Sequence, residues 1–254
     1  MTHGLSILMY HQVGAFAPMR EHRSTYCDVR RFAAQMAWLH RFGYSVLRLD
    51  DALDALAGRR PLPPRAVVIT FDDGYENFYT HAWPVLERHG FPATVYLIAG
   101  MLGQPSHWFA ADGRDTPPLM GPERIRELHR AGVDFGSHSV THAKLTEIDH
   151  AAARREITDS KALLEDVLGA PVRHFCYPFG RHDRAIVELA RAAGYASGTT
   201  CVRATARIGW DALALPRKAV SYGDSALGMA WKLHFKHAPK PRPGEVWGPR
   251  PGGL

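Results

Sequence analysis

The stretch Ala66-Val67-Val68-Ile69-Thr70-Phe71-Asp72-Asp73-Gly74-Tyr75 decides how the rest of the chain is read. Its first residues are apolar or β-branched almost without interruption, the pattern of a strand buried on both faces of a parallel sheet. The strand then meets two adjacent carboxylates and a glycine. Neighbouring side chains on extended backbone point to opposite sides, so Asp72 and Asp73 suit two different jobs at one place, such as base and metal ligand. Asp-Gly is also ordinary turn chemistry. Partners elsewhere in the chain must decide between the two.

Working backwards, residues 6–11 read as a first buried strand ending at His11. Asp28 can cap a helix whose Val29, Phe32, Met36 and Leu39 fall at helical spacing, with Gly43 as its stop. A short strand over 44–49 and a short helix over 50–56 precede the Pro-rich step at 60–64. Working forwards, a helix is expected over 78–89, where Pro84 allows a break, then a strand over 93–99. Helices over 123–130, 151–168 and 183–193 alternate with strands over 133–137, 172–177, 195–200 and 215–221. Such alternation indicates an α/β fold, a parallel sheet or barrel with its helices outside. Between 100 and 122 the pattern dissolves into Gly, Pro and single aromatics, and a connection of that length is often functional. The expected organisation is one domain over 1–235, including an N-terminal strand–helix extension over 1–64. A basic Pro/Gly-rich tail over 236–254 is expected to be disordered.

Composition narrows the class. The chain has 254 residues, 46% hydrophobic and 22% charged, the balance of an ordinary globular protein. Its net charge of +6 is spread without a long basic run, which argues against nucleic acid and leaves a weak preference for anionic surfaces or glycans. Cys27, Cys176 and Cys201 form no C-x-x-C pair, so neither a disulfide framework nor a cysteine zinc site is expected. The apolar run at 5–10 is too short for a signal peptide or a membrane span, so a cytoplasmic location is the expectation.

Two further segments carry chemistry. In His138-Ser139-Val140-Thr141-His142, residues four apart would share a face of a helical turn, so two imidazoles could converge on one ion. With 15 histidines in the chain, a chance pair is ordinary. Placement favours function, because this segment and Asp72-Asp73 both follow strands, and barrel strands end at one rim where active sites sit. Two imidazoles and one carboxylate with open positions make a catalytic divalent-metal site. The other segment is Phe175-Cys176-Tyr177-Pro178-Phe179-Gly180. It reads as a Pro-Gly turn, or as a backbone N–H offered to an oxyanion beside an aromatic wall.

Taken in order, Thr70-Phe71-Asp72-Asp73-Gly74, His138-x-x-x-His142 and Tyr177-Pro178-Phe179-Gly180 resemble the polysaccharide deacetylases of NodB-homology type, carbohydrate esterase family 4. The resemblance covers most of the chain. It implies a distorted (β/α) barrel of about seven strands and metal-dependent removal of acetyl groups from N-acetylglucosamine-type sugars in a polysaccharide, oligosaccharide or lipid-linked glycan. By it, Asp72 is the general base, and Asp73, His138 and His142 hold one divalent ion, zinc first, with cobalt, nickel or manganese as alternatives. The Phe179 N–H is the oxyanion donor. Trp108 and Phe109 in the long loop, with Tyr75 and Tyr177, are the expected substrate-binding aromatics.

Two departures stand out. The arginine that closely precedes Pro-aromatic-Gly in the family is replaced by Cys176, with Arg173 nearby but out of register. The C-terminal Leu-x-His is absent, since Leu213-Ala214-Leu215-Pro216-Arg217 carries no histidine and Leu233-His234 falls late. Met9-Tyr10-His11-Gln12-Val13 resembles the Tyr-His-x-Val start of a branch that includes poly-N-acetylglucosamine deacetylases, which makes His11 the expected general acid. An amidase acting on a non-sugar substrate and a non-catalytic carbohydrate-binding barrel are the alternatives. Peripheral association with a membrane-linked glycan fits the same reading.

Overall fold

The structure is a computed structural model, and it describes residues 4–108, 110 and 113–250. Its centre is β5 (Ala66–Phe71), buried along its whole length. On one side β5 pairs in parallel with β1 (Ser6–Tyr10), in a register that sets Tyr10 opposite Phe71. On the other it pairs with β4 (Ser45–Val46) at its start and β6 (Thr94–Leu97) at its end. The sheet continues through β7 (Asp134–Ser137), β8 (His174–Cys176) and β9 (Ser197–Thr199), and β10 (Lys218–Ala219) flanks β1. The main path therefore has seven parallel strands, curled so that an isolated bridge between Thr199 and Leu215 spans the seam between its two ends. A small parallel pair, β2 (Gln12–Gly14) with β3 (Tyr26–Asp28), which the sequence pattern did not signal, sits beside it.

The helices pack outside. They are α1 (Val29–Arg41), α2 (Leu49–Leu56), α3 (Trp83–His89), α4 (Pro122–Arg130), α5 (His150–Leu168), α6 (Arg184–Ala192) and α7 (Ala226–Phe235). Asp28 caps α1 as expected, accepting from the N–H groups of Arg30 and Arg31. Phe32, Met36 and Leu39 turn inward onto Tyr10, Ile69 and Phe71 of the sheet, in one apolar core. The single helix expected over 78–89 begins instead as a π-helical segment, Phe78–Ala82, and becomes α-helical at Trp83. Pro84, which has no N–H for an i−4 carbonyl, sits in the first turn of α3, where that loss costs nothing.

The C-terminal end differs from the sequence reading in two places. α7 was not foreseen, and the reason is its pattern: Leu227, Met229, Trp231, Leu233 and Phe235 alternate with period two, which mimics a strand. Residues 236–250 are not a disordered tail. Lys240 bridges Arg203, Trp247 packs on Trp210, and the Val246 carbonyl lies 2.8 Å from the His182 ring, so backbone and aromatic contacts tie the segment down.

Candidate active site

The parallel register places the chemistry at one rim. β1, β5, β7 and β8 all point their C-terminal ends the same way, and His11, Asp72, His138 and Tyr177 are the residues that follow them. The Asp72 N–H donates to the Tyr10 carbonyl at 2.9 Å, continuing the β1–β5 pairing by one residue. A cavity of about 450 Å³ opens there, lined among others by His11, Asp72, Asp73, Trp108, His138 and His142.

Asp73 leaves the strand with φ +73, so the two carboxylates do not simply alternate across the sheet. Gly74 repeats the left-handed turn at φ +73, and a Cβ there would press on the end of the Leu97 side chain at 2.6 Å, so glycine is favoured. The outcome is that Asp73 Oδ1 lies 3.4 Å from His138 Nε2 and 3.5 Å from His142 Nε2. These separations are too long for hydrogen bonds and match two ligands around one ion. Asp73 Oδ1 is buried with no hydrogen-bond partner, which points to a cation at the same place. His138 Nδ1 lies 2.8 Å from the Cys176 carbonyl, which can only accept, so Nδ1 carries a hydrogen and Nε2 is the atom turned toward Asp73. Burial pushes the His142 pKa down to about 4, keeping that imidazole neutral, as a ligand must be. The residues present fit a divalent ion.

The segment from His138 to His142 is not the helical turn that its spacing suggested. It is a loop in which Ser139 and His142 both have positive φ. Glu156 of α5 holds it, accepting from the Val140 and Thr141 N–H groups at 2.9 Å each. Phe179 is left-handed too, at φ +56. Left-handed backbone costs a non-glycine residue about 1–2 kcal/mol, and its concentration at one rim is typical of functional strain. In the turn that carries Phe179, the Gly180 and Arg181 N–H groups make the closing bonds, to Tyr177 and Pro178. Its own N–H is not one of them.

Asp72 has a partner that was not foreseen. Arg217, in the coil just before β10, meets it with two hydrogen bonds, Nη1 to Oδ1 at 2.6 Å and Nη2 to Oδ2 at 2.7 Å. Burial pushes the Asp72 pKa up, but the guanidinium more than offsets it and holds the carboxyl below its usual range. Arg217 is itself fixed by the Thr200 carbonyl at 3.0 Å and by Cys176 Sγ at 3.1 Å. Arg173 plays no such part, pairing with Asp50 on the exterior. His11 Nε2 stands 3.7 Å from Asp72 Oδ2, and its Nδ1 is buried without a partner. His234, the alternative acid, lies outside the cavity lining, on α7 beside Tyr44.

The aromatic expectations divide. Trp108 brings the long loop over the metal rim, with its ring 4.9 Å from that of His142. Phe179 packs on the other side of His142 at 4.4 Å and is 39% exposed. Tyr75 does not face the cavity. It is buried under the loop with Ile98, Met101 and Leu119, and its hydroxyl accepts from Trp108 Nε1 at 3.0 Å. Tyr177 does line the cavity, but its hydroxyl is turned away and donates to the Leu213 carbonyl at 2.8 Å. Phe109 lies outside the described residues. Lys144, Arg181 and Arg242 complete the outer wall of the cavity.

In sequence and in fold the chain is similar to known proteins. Residues 59–198 match the family model described as polysaccharide deacetylase. The Bacillus subtilis protein YxkH, described as a polysaccharide deacetylase, is 30% identical over 87% of this chain and 73% of its own length. A poly-β-1,6-N-acetyl-D-glucosamine N-deacetylase of Staphylococcus aureus is 23% identical over 72% of this chain, which spans 63% of that relative. The structure of IcaB from Ammonifex degensii superposes with a TM-score of 0.78 at 28% identity, covering 91% of this chain and 97% of that one.

Proposed function

This chain belongs to the polysaccharide deacetylase family, and on that premise we propose that it is a metal-dependent hydrolase freeing the amine of N-acetylglucosamine-type residues in a glycan. The observation that carries the reading is the meeting, at one rim, of the Asp73–His138–His142 donor set with the Asp72–Arg217 pair and His11. A non-catalytic binding barrel would have no use for a buried base held ionised beside a complete donor set. The substrate class is supported by the relative that acts on poly-N-acetylglucosamine.

A divalent ion bound by Asp73, His138 and His142 would supply Lewis acidity toward the acetyl carbonyl and make water there a better acid. The protein's own groups do the rest. Asp72, kept ionised and oriented by Arg217, takes a proton from the water whose oxygen bonds to the acetyl carbon. The Phe179 N–H donates to the oxygen on which negative charge develops. His11, in its protonated form, delivers a proton to the sugar nitrogen as the C–N bond breaks, because an unprotonated amine leaves poorly. Acetate and a free amine result. Trp108 offers an aromatic face for the apolar C–H surface of a sugar. Acetate release from N-acetylglucosamine oligomers, run beside a panel of small N-acetyl amides, tests the proposal. Release from the amides alone would reassign the enzyme to non-sugar substrates, and release from neither would remove the catalytic reading.

A further inference from the structure

We propose that α7 and the end of α1 form a docking face for an anionic lipid bilayer. Helix α7 is apolar on two sides. Met229 and Leu233 face the core, whereas Leu227, Trp231 and Phe235 are 76%, 55% and 62% exposed. The exposed three are spaced four apart, so they form one stripe along the helix. Trp231 and Phe235 stack with ring centroids 4.2 Å apart. Phe42, 45% exposed, follows the C-terminal end of α1, and Trp38 within α1 joins its ring to that of His234 on α7. The patch therefore runs across both helices.

Charge surrounds this stripe with one sign. Neither helix contains an aspartate or a glutamate. The two acids at their starts are engaged: Asp28 caps α1, and Asp224 pairs with Lys232. Along the chain Arg41 adjoins Phe42 and Lys236 adjoins Phe235, Arg31 donates to the Gly223 carbonyl just before α7, and Lys240 follows in the basic segment beyond. A helix with Trp, Phe and Leu on one side and only cations around them suits the headgroup region of an anionic membrane. Area argues against a protein partner. Three large apolar side chains, mostly exposed, offer roughly 400 Å² at about 150–250 Å² each, half of the roughly 800 Å² per partner that a stable complex buries. A bilayer needs no matching second surface. No helix among the described residues is long and apolar enough to cross a membrane, so the contact would be peripheral.

The test is flotation of the full chain with vesicles of phosphatidylcholine alone and of phosphatidylcholine mixed with phosphatidylglycerol. Binding should appear with the mixed vesicles, weaken with added salt, and fall about tenfold or more in the triple variant Leu227→Gln/Trp231→Gln/Phe235→Gln and in Arg41→Glu/Lys236→Glu. Both variants alter positions away from the cavity, all exposed except the half-buried Lys236, so thermal stability and hydrolysis of soluble oligomers should match the parent. Equal flotation of the triple variant, or no flotation of the parent, would overturn the inference. So would a parent that is dimeric in solution, fails to bind vesicles and becomes monomeric in the triple variant.

Discussion

Arg217 grips Asp72 through both terminal nitrogens, and both side chains are buried. A buried carboxylate is unfavourable alone, and so is a buried guanidinium. Together they form a planar, doubly bonded pair that fixes where the carboxylate oxygens point. The family's usual arginine position holds Cys176 here, and Cys176 instead packs its sulfur against Arg217.

Removing the guanidinium should therefore be felt twice. Arg217→Met strips one partner from a buried pair, a change that costs about 3–5 kcal/mol of stability. Turnover per folded, metal-loaded molecule should drop as well, by about 10²-fold if Asp72 loses its aim. Arg217→Lys keeps the charge without the fork and should recover stability better than kcat. Normal turnover in Arg217→Met would make the pair a structural feature only.

His11→Ala tests the acid. Metal content and melting temperature should stay near those of the parent, while kcat falls by about 10²–10⁴-fold, the usual contribution of general acid catalysis. A structural role predicts the reverse pattern, a lower melting temperature with turnover intact.

Chelation should abolish acetate release, and one equivalent of divalent ion should restore it. Asp73→Asn and His142→Ala should fail to bind the ion at concentrations that saturate the parent. Because the ion binds only the folded site, the parent should gain about 2.7 kcal/mol when free ion is a hundred times its Kd. Calorimetry with and without ion reads this directly. No gain in stability would mean that the three side chains do not share a metal.

Lys218 gives a pH signature away from the site. It is buried, with Nζ held by Ser6 Oγ at 3.0 Å and the Leu233 carbonyl at 3.3 Å, and burial lowers its pKa from 10.5 to about 8. Below pH 8 both folded and unfolded chains carry the charge, and the folded state bears the full cost, about 3 kcal/mol at 1.36 kcal/mol per unit of pKa. Between 8 and 10.5 the unfolded chain binds the proton and the folded chain does not, so stability rises with pH through that window. Lys218→Met should be more stable than the parent at pH 7, and its advantage should shrink as pH approaches 10. Denaturant melts at a series of pH values would show the convergence, and parallel curves would refute it.

What could be read in advance follows from distance along the chain. The β5 strand and the cap at Asp28 are local patterns, and each is found where its residues predicted; the two histidines do meet, but through a left-handed loop held by Glu156 rather than through the helical turn that their spacing suggested. The left-handed turn at Asp73 was not legible, because positive φ at an aspartate is set by what surrounds it. Arg217 was hidden for another reason: its partner lies 145 residues earlier, and no periodicity links them. Tyr75 looked like a ligand-facing aromatic because it follows Asp72-Asp73-Gly74, yet two successive left-handed residues turn it under the loop.

The pairing of β10 with β1 orders events during synthesis. Lys218 meets Ser6 across 212 residues, so this pairing can form only after residue 218 has left the ribosome. The three metal donors are all translated by residue 142, well before the arginine at 217. A nascent barrel could thus hold its ion while Asp72 still lacks its counter-charge. Full turnover would come only with β10, so that a chain released before it would hold its ion yet hydrolyse slowly.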